Sequence, residues 1–397
     1  MNRRFGSAFF AILGYGVFCI CAGIVALEGI CFIGWKAYDY SVHGESSREN
    51  HGNISPAYAN YSWAPEFWKE EQLRWKSQRA SYVPFLIWGI ASWHGKYVNT
   101  DTNEYGEWRR TINNIASSCQ EPHTTSIWMF GGSTLYGTGV PDWATIPSYL
   151  SQILNTASTC ARVTNFGVEG YGSDQEVMLL IAQLKAGRRP DILIFYDGVN
   201  DAYAGAVSPA IPGAHVGFER IKGRVEGALA SRVDFLSSTS TMRTAKSCLA
   251  LFGRKEYPAS ADIRAKAVGT LDNYEANLRI VRSLAQLYNF KLFCFWQPAL
   301  IYGEKPLTPF ERKIVEEHRE VLDAHYNGNG PFRSWSTVYD EAARRSASDQ
   351  NFVFLGRIFD VVPEPLYIDE WMHLAPEGNL LLAQTIAGHV RPKDWEK

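Results

Sequence analysis

Serine, glycine, asparagine, histidine and paired acids fall in four short stretches of this chain. Ser133 stands in "GGSTLYG" directly after the apolar run 127–130, and Gly167 and Gly170 lie in "NFGVEGYGSDQE". Asn200 lies in "YDGVNDAY", and His373 follows Asp369 and Glu370 in "YIDEWMHLAPEGN". A serine hydroxyl becomes a nucleophile only when a base takes its proton. Imidazole serves best when a carboxylate fixes its tautomer and stabilises the imidazolium. His373 with a neighbouring acid can supply both. The tetrahedral oxyanion then needs donors, which the backbone N–H groups of Ser133 and Gly170 and the side-chain amide of Asn200 can provide. Taken alone, Ser133 also suits a helix N-cap, and Asn200 with Asp201 suits a turn.

These stretches can meet only if the chain folds them onto one edge. From residue 123 onward, strand and helix patterns alternate. Strands are predicted over 126–130, 162–166, 191–196, 291–296 and 351–355. Helices are predicted over 144–154 and 173–185, and over about 265–288, 311–325, 338–345 and 376–389. The spacing implies βαβ units and an α/β fold with a doubly wound, mostly parallel sheet. In such sheets ligands bind beyond the carboxyl ends of the strands, where Ser133, Gly170 and Asn200 follow theirs. Ser173 with Glu176 three residues on predicts a capping box at the start of the second helix. The alternation lapses over about 203–262, which reads as an insertion.

Other glycine motifs fail. Gly132 and Gly137 have phosphate-loop spacing, but Thr138 replaces the required lysine. The dinucleotide fingerprint breaks at Gln175, and Leu135 occupies the last position of a Gly-x-Ser-x-Gly elbow. No His/Cys cluster or carboxylate constellation calls for a metal, and no organic cofactor is expected.

The four stretches resemble the blocks of the SGNH (GDSL-type) hydrolase superfamily: "GGST" the nucleophile block, "NFGVEG" the second and "GVND" the third. The resemblance covers about 123–395 apart from the insertion. It implies a flavodoxin-like three-layer sandwich, with Ser133 as nucleophile, Ser133, Gly170 and Asn200 as the oxyanion hole, and His373 as general base. The family places aspartate three residues before the histidine, and here that position holds Glu370. Glu370 is therefore the first expectation for the triad acid. Asp369 is the alternative and would need a one-residue bulge before His373. "SYVPFLIWG" and "KYVNTDTNEYGEWRRT" also resemble the lead-in of membrane-anchored bacterial members. The implied activity is ester hydrolysis on acyl esters, with O-acyl groups on envelope or extracellular glycans first and lipid esters next. An O-acyltransferase and an inactive binding module are the alternatives.

The chain has 397 residues and a net charge of -2, which gives no electrostatic case for a nucleic-acid partner. Residues 8–27 carry no charge and match the about 20 residues needed to cross a bilayer. Arg3 and Arg4 precede them, so the N-terminus is expected in the cytoplasm and the rest outside. The expected organisation is an anchor over 1–36, an aromatic-rich juxtamembrane region over 37–122 and a hydrolase domain over 123–397. Six of the 13 tryptophans lie between Trp63 and Trp108, and they are expected to pack on the main domain or at the membrane surface. Cys119 and Cys160 each lie a few residues upstream of a predicted strand. An exported domain permits a disulfide between them.

Overall fold

The computed structural model describes residues 15, 22–23, 25–33, 55–77, 80–117, 119, 124–156, 159–207, 215–230, 260–325, 331–349 and 351–391. The chain divides into two compact units, one of 1–53 with 219–256 and one of 54–218 with 257–397. Most of the apolar stretch 8–27 lies outside the described residues. Among the described residues no helix is long and apolar enough to cross a membrane.

The larger unit is built on five parallel strands. These are β1 (Thr125–Gly131), β2 (Ala161–Asn165), β3 (Ile192–Asp197), β4 (Lys291–Trp296) and β5 (Phe352–Phe354), in the order β2-β1-β3-β4-β5. Parallel strands are covered on both faces, and β3 accordingly is buried along its whole length. Phe130 stacks on Phe166 of the β2 end at 4.7 Å and on Phe195 of β3 at 5.6 Å.

Among the described residues the helices include α1 (Ala64–Ser77), α2 (Ser133–Tyr136), α3 (Ile146–Leu154), α4 (Ser173–Lys185), α5 (Val199–Val207), α6 (Phe218–Ala230, all but its first residue in the smaller unit), α7 (Ser260–Tyr288), α8 (Pro309–His325), α9 (Pro331–Ser346) and α10 (Pro376–His389). The step from β1 to β2 runs one way across the sheet and every later step runs the other. Right-handed crossovers then put α3 on one face and α4, α7 and α9 on the opposite one. The packing agrees: α10 lies on α3, while α5 and α9 lie on α7. Because the chain reverses between β1 and β3, their carboxyl ends open a crevice of the kind that holds ligands in this strand order.

Residues 54–122 belong to the unit that contains the sheet. Their aromatics do pack inward: Phe67, Tyr97 and Val98 form a small core with Trp63, Trp68 and Trp93, and Tyr58 Oη donates to Gly139 O at 2.6 Å. At the amino ends of the strands Cys119 and Cys160 form a disulfide, and Thr125 N–H donates to Cys160 O at 2.9 Å.

The capping box expected at Ser173 and Glu176 does not form. The N-cap of α4 is Gly172, so Ser173 falls one position inside the helix and the offset to Glu176 is wrong for a box. Asp201 of α5 takes over, accepting from Ser173 N at 3.1 Å and from Ser173 Oγ at 2.6 Å. Glu176 is buried instead beside Asp197. Burial first, then the charge of Asp197, pushes the Glu176 carboxyl well above its ordinary value.

Candidate active site

Ser133 is the first residue of α2, reached directly from β1 through Gly131 and Gly132. Gly132, not Ser133, is the N-cap, so the capping reading of this serine does not hold. Its hydroxyl points elsewhere: Ser133 Oγ lies 2.8 Å from His373 Nε2. His373 Nδ1 in turn lies 2.6 Å from Asp369 Oδ2. With the ring proton on Nδ1 donated to the carboxylate, Nε2 is left to accept the serine proton. The chain Ser133, His373, Asp369 is therefore a continuous hydrogen-bonded relay.

The carboxylate that meets His373 is that of Asp369, where the sequence reading put Glu370 first. Asp369 Oδ1 accepts the backbone N–H groups of Trp371 at 3.0 Å and His373 at 3.3 Å, so the carboxylate sits inside the turn that carries the histidine. The extra residue is absorbed at Met372, whose φ of 69° is left-handed. That is a costly conformation for a side chain of this size. It is the local bulge that Asp369 requires, and an offset of three residues does not apply once the chain bends there. Glu370 is half-buried, and its carboxyl is pushed up by burial and by the neighbouring charge of Asp369.

The turn itself is held from below. Ile368 N–H donates to His373 O at 3.0 Å, and Ala375 N–H donates to Leu366 O at 2.8 Å. Glu311 of α8, fully buried, accepts from Leu366 N at 3.0 Å and Tyr367 N at 3.2 Å. Lys305 Nζ stands 2.9 Å from the same carboxylate. Thr308 and Glu311 also bond reciprocally as a capping box, so one glutamate both starts α8 and clamps the strand leading to the catalytic turn.

Electrostatics match the roles. Burial disfavours the His373 imidazolium, but the Asp369 carboxylate and its hydrogen bond outweigh that, helped by Glu169 and Glu370, and raise its pKa above the usual histidine value. Burial likewise opposes the Asp369 charge, yet the His373 charge and the bonds from His373 and Trp371 hold its pKa below the ordinary one.

Asn200 lies in the first turn of α5, where β3 ends. Its Nδ2 donates to Tyr171 O at 2.7 Å, which leaves a second amide hydrogen. A Cβ on Gly132 would stand 2.2 Å from that nitrogen, so only glycine lets Asn200 come so close to the nucleophile's backbone. Gly170 has φ +79°, a conformation that glycine adopts without strain. Among the described residues, the N–H groups of Ser133 and Gly170 have no protein acceptor. Asn165 ties the first two stretches together, donating to Leu135 O at 3.1 Å and accepting from Gly167 N at 2.8 Å.

Three contributors escaped the sequence reading: Glu311, Asp201 as the cap of α4, and the Trp88 bond to Glu169 O. The first had a signal, since Thr308-Pro-Phe-Glu311 is a capping-box pattern with proline at the first helical position. The others depend on contacts distant in sequence. Among the described residues no group of histidine, cysteine, aspartate and glutamate could hold a metal ion.

No protein-family model matches the chain, and no curated protein matches it in sequence. Solved structures of similar fold include a member of the lipolytic protein G-D-S-L family from Veillonella parvula DSM 2008, at 13% identity and a TM-score of 0.32, covering 67% of this chain and 97% of that one. A catalytic mutant of an acetylxylan esterase from Geobacillus stearothermophilus matches at 14% identity and a TM-score of 0.32, covering 67% of this chain and 94% of that one. The lipase/acylhydrolase from Enterococcus faecalis matches at 13% identity and a TM-score of 0.34, covering 67% of this chain and 95% of that one.

Proposed function

We propose that the protein is a serine esterase of the SGNH type, and the observation that carries this reading is the relay from Ser133 Oγ through His373 to Asp369. His373 Nε2 takes the Ser133 proton as Oγ attacks the ester carbonyl. The oxyanion is met by the N–H groups of Ser133 and Gly170 and the Asn200 amide. Collapse expels the alcohol, which takes its proton from the imidazolium, and leaves an acyl group on Ser133. Water, deprotonated by the same imidazole, releases the acid and restores the serine. The relay lies at the crevice between the ends of β1 and β3, where a substrate enters from outside the sheet.

The substrate class proposed is an O-acyl ester on an envelope or extracellular glycan, with lipid esters as the next choice. The site is proposed to lie outside the cytoplasmic membrane, tethered by residues 8–27. That placement is supported by the uncharged apolar stretch after Arg3 and Arg4 and by the exposure of Tyr15, Val25 and Leu27 within it. It is also supported by the Cys119–Cys160 disulfide, which an oxidising compartment preserves.

Hydrolysis of p-nitrophenyl acetate by the full chain, with and without acceptor sugars, tests the reading. Release of acetate supports an esterase. Acetyl transfer to the sugar at the expense of water turns the assignment to an acyltransferase, and inertness toward both ester and fluorophosphonate removes the enzymatic reading.

A further inference from the structure

The oxyanion donor from Gly170 belongs to a peptide plane that a distant residue holds. Trp88 Nε1 donates to Glu169 O at 3.0 Å. A trans peptide is planar, with its C=O and N–H pointing to opposite sides. Fixing the Glu169 carbonyl therefore fixes the direction of the Gly170 N–H. The plane needs such a hold, because Gly170 at φ +79° is followed by no regular structure until α4 and a glycine swings at little cost.

The indole is itself well supported. It packs edge to face on Tyr171 with ring centroids 5.7 Å apart and on His215 at 5.4 Å. Tyr171 Oη donates to Trp88 O. Gln175 Nε2 donates to Leu86 O at 2.8 Å, and Ser81 and Gly89 close the loop with two backbone bonds of 3.2 and 2.8 Å. Within that loop Phe85 and Ile87 take φ of 66° and 73°. A β-branched residue with positive φ is strained, and such strain persists only where surrounding contacts impose it. The Glu169 side chain is held too, by Thr138 Oγ1 at 2.9 Å and Arg74 Nη2 at 3.4 Å. Trp88 and Arg74 both come from the segment before the sheet.

We propose that Trp88 is a positioning residue for the oxyanion hole, its indole N–H aiming the Gly170 N–H through the shared peptide plane. The inference rests on the esterase reading and assigns the 81–89 loop a part in catalysis. Trp88 acts through Gly170 and touches no reacting atom itself.

The test compares Trp88→Phe, which keeps a ring but removes the donor, with Tyr97→Phe, which removes a bond to Glu66 in the same leading segment while leaving the 81–89 loop untouched. Trp88→Phe is expected to lower kcat for p-nitrophenyl acetate about tenfold, less than the loss of a whole oxyanion donor, with KM within twofold. Phosphonylation of Ser133 should slow by a similar factor, since negative charge also builds on the phosphoryl oxygen as Oγ attacks and fluoride leaves. Tyr97→Phe is expected to lower Tm and leave kcat within twofold. Unchanged kcat in Trp88→Phe overturns the proposal while leaving the esterase reading intact, and so does an equal kcat loss in Tyr97→Phe. A wild-type chain that neither hydrolyses the ester nor reacts with the phosphonate overturns both.

Discussion

His373 Nδ1 and Asp369 Oδ2 lie 2.6 Å apart although the two residues are four apart in sequence, and the left-handed Met372 between them makes the reach possible. The same carboxylate accepts two backbone N–H groups of its own turn, so the acid is oriented by the loop that it organises.

Asp369→Asn should therefore lower kcat by roughly 10²-fold or more, because the amide neither fixes the tautomer nor stabilises the imidazolium. Glu370→Gln should stay within about threefold of wild type, as its carboxyl carries no part of the relay. Steady-state kinetics on both variants settle the order. Equal losses would contradict the assignment of Asp369.

The pH dependence follows from the raised pKa of His373. Only the neutral ring accepts the serine proton, so activity appears as pH rises through that pKa. The acid limb of kcat/KM should lie above the usual histidine value of about 6.5. Asp369→Asn removes the anion that favours the imidazolium, and the limb should move to lower pH. A wild-type limb below 6.5, or one that Asp369→Asn leaves in place, would count against the pairing.

Ser133→Ala should abolish both turnover and labelling by a fluorophosphonate, as the nucleophile is gone. Asn200→Ala should keep the label site and lose about 10²- to 10³-fold in kcat, the usual cost of one oxyanion donor. Labelling that survives in Ser133→Ala would point to another serine.

The Cys119–Cys160 bridge closes a loop with a sequence separation of 41 residues at the amino ends of the strands, away from the crevice. Replacing both cysteines by serine should lower unfolding stability by about 2–4 kcal/mol through the freed loop entropy, with kcat little changed. Denaturant titration and kinetics measure the two effects separately. A large fall in kcat at intact fold would mean that the bridge shapes the site.

Much of the fold was legible because its signals are local. The spans of α4, β4 and α10 follow from periodicity and from punctuation such as Ala375-Pro376. That Ser133, Gly170 and Asn200 follow strands was legible for a related reason, since strand ends in a parallel sheet converge on one edge. The choice between Asp369 and Glu370 was not, because it turns on one backbone dihedral at Met372 that no side-chain pattern encodes. Nor was α1, whose buried face mixes Phe67 with Glu71 and Arg74, an ion pair that hides the apolar stripe. The role of Trp88 depends on a contact 81 residues away.

Ser133 and His373 are 240 residues apart in the chain, joined only when the last helix docks beside the sheet. On the proposed reading, a growing polypeptide carries its nucleophile long before it acquires the base, and during that interval the serine is an ordinary alcohol. Half-made or proteolytically shortened copies lacking the final segment would meet acyl esters without cleaving them. Appearance of turnover during synthesis or refolding consequently marks completion of the whole α/β unit, later than the formation of β1, β2 and β3.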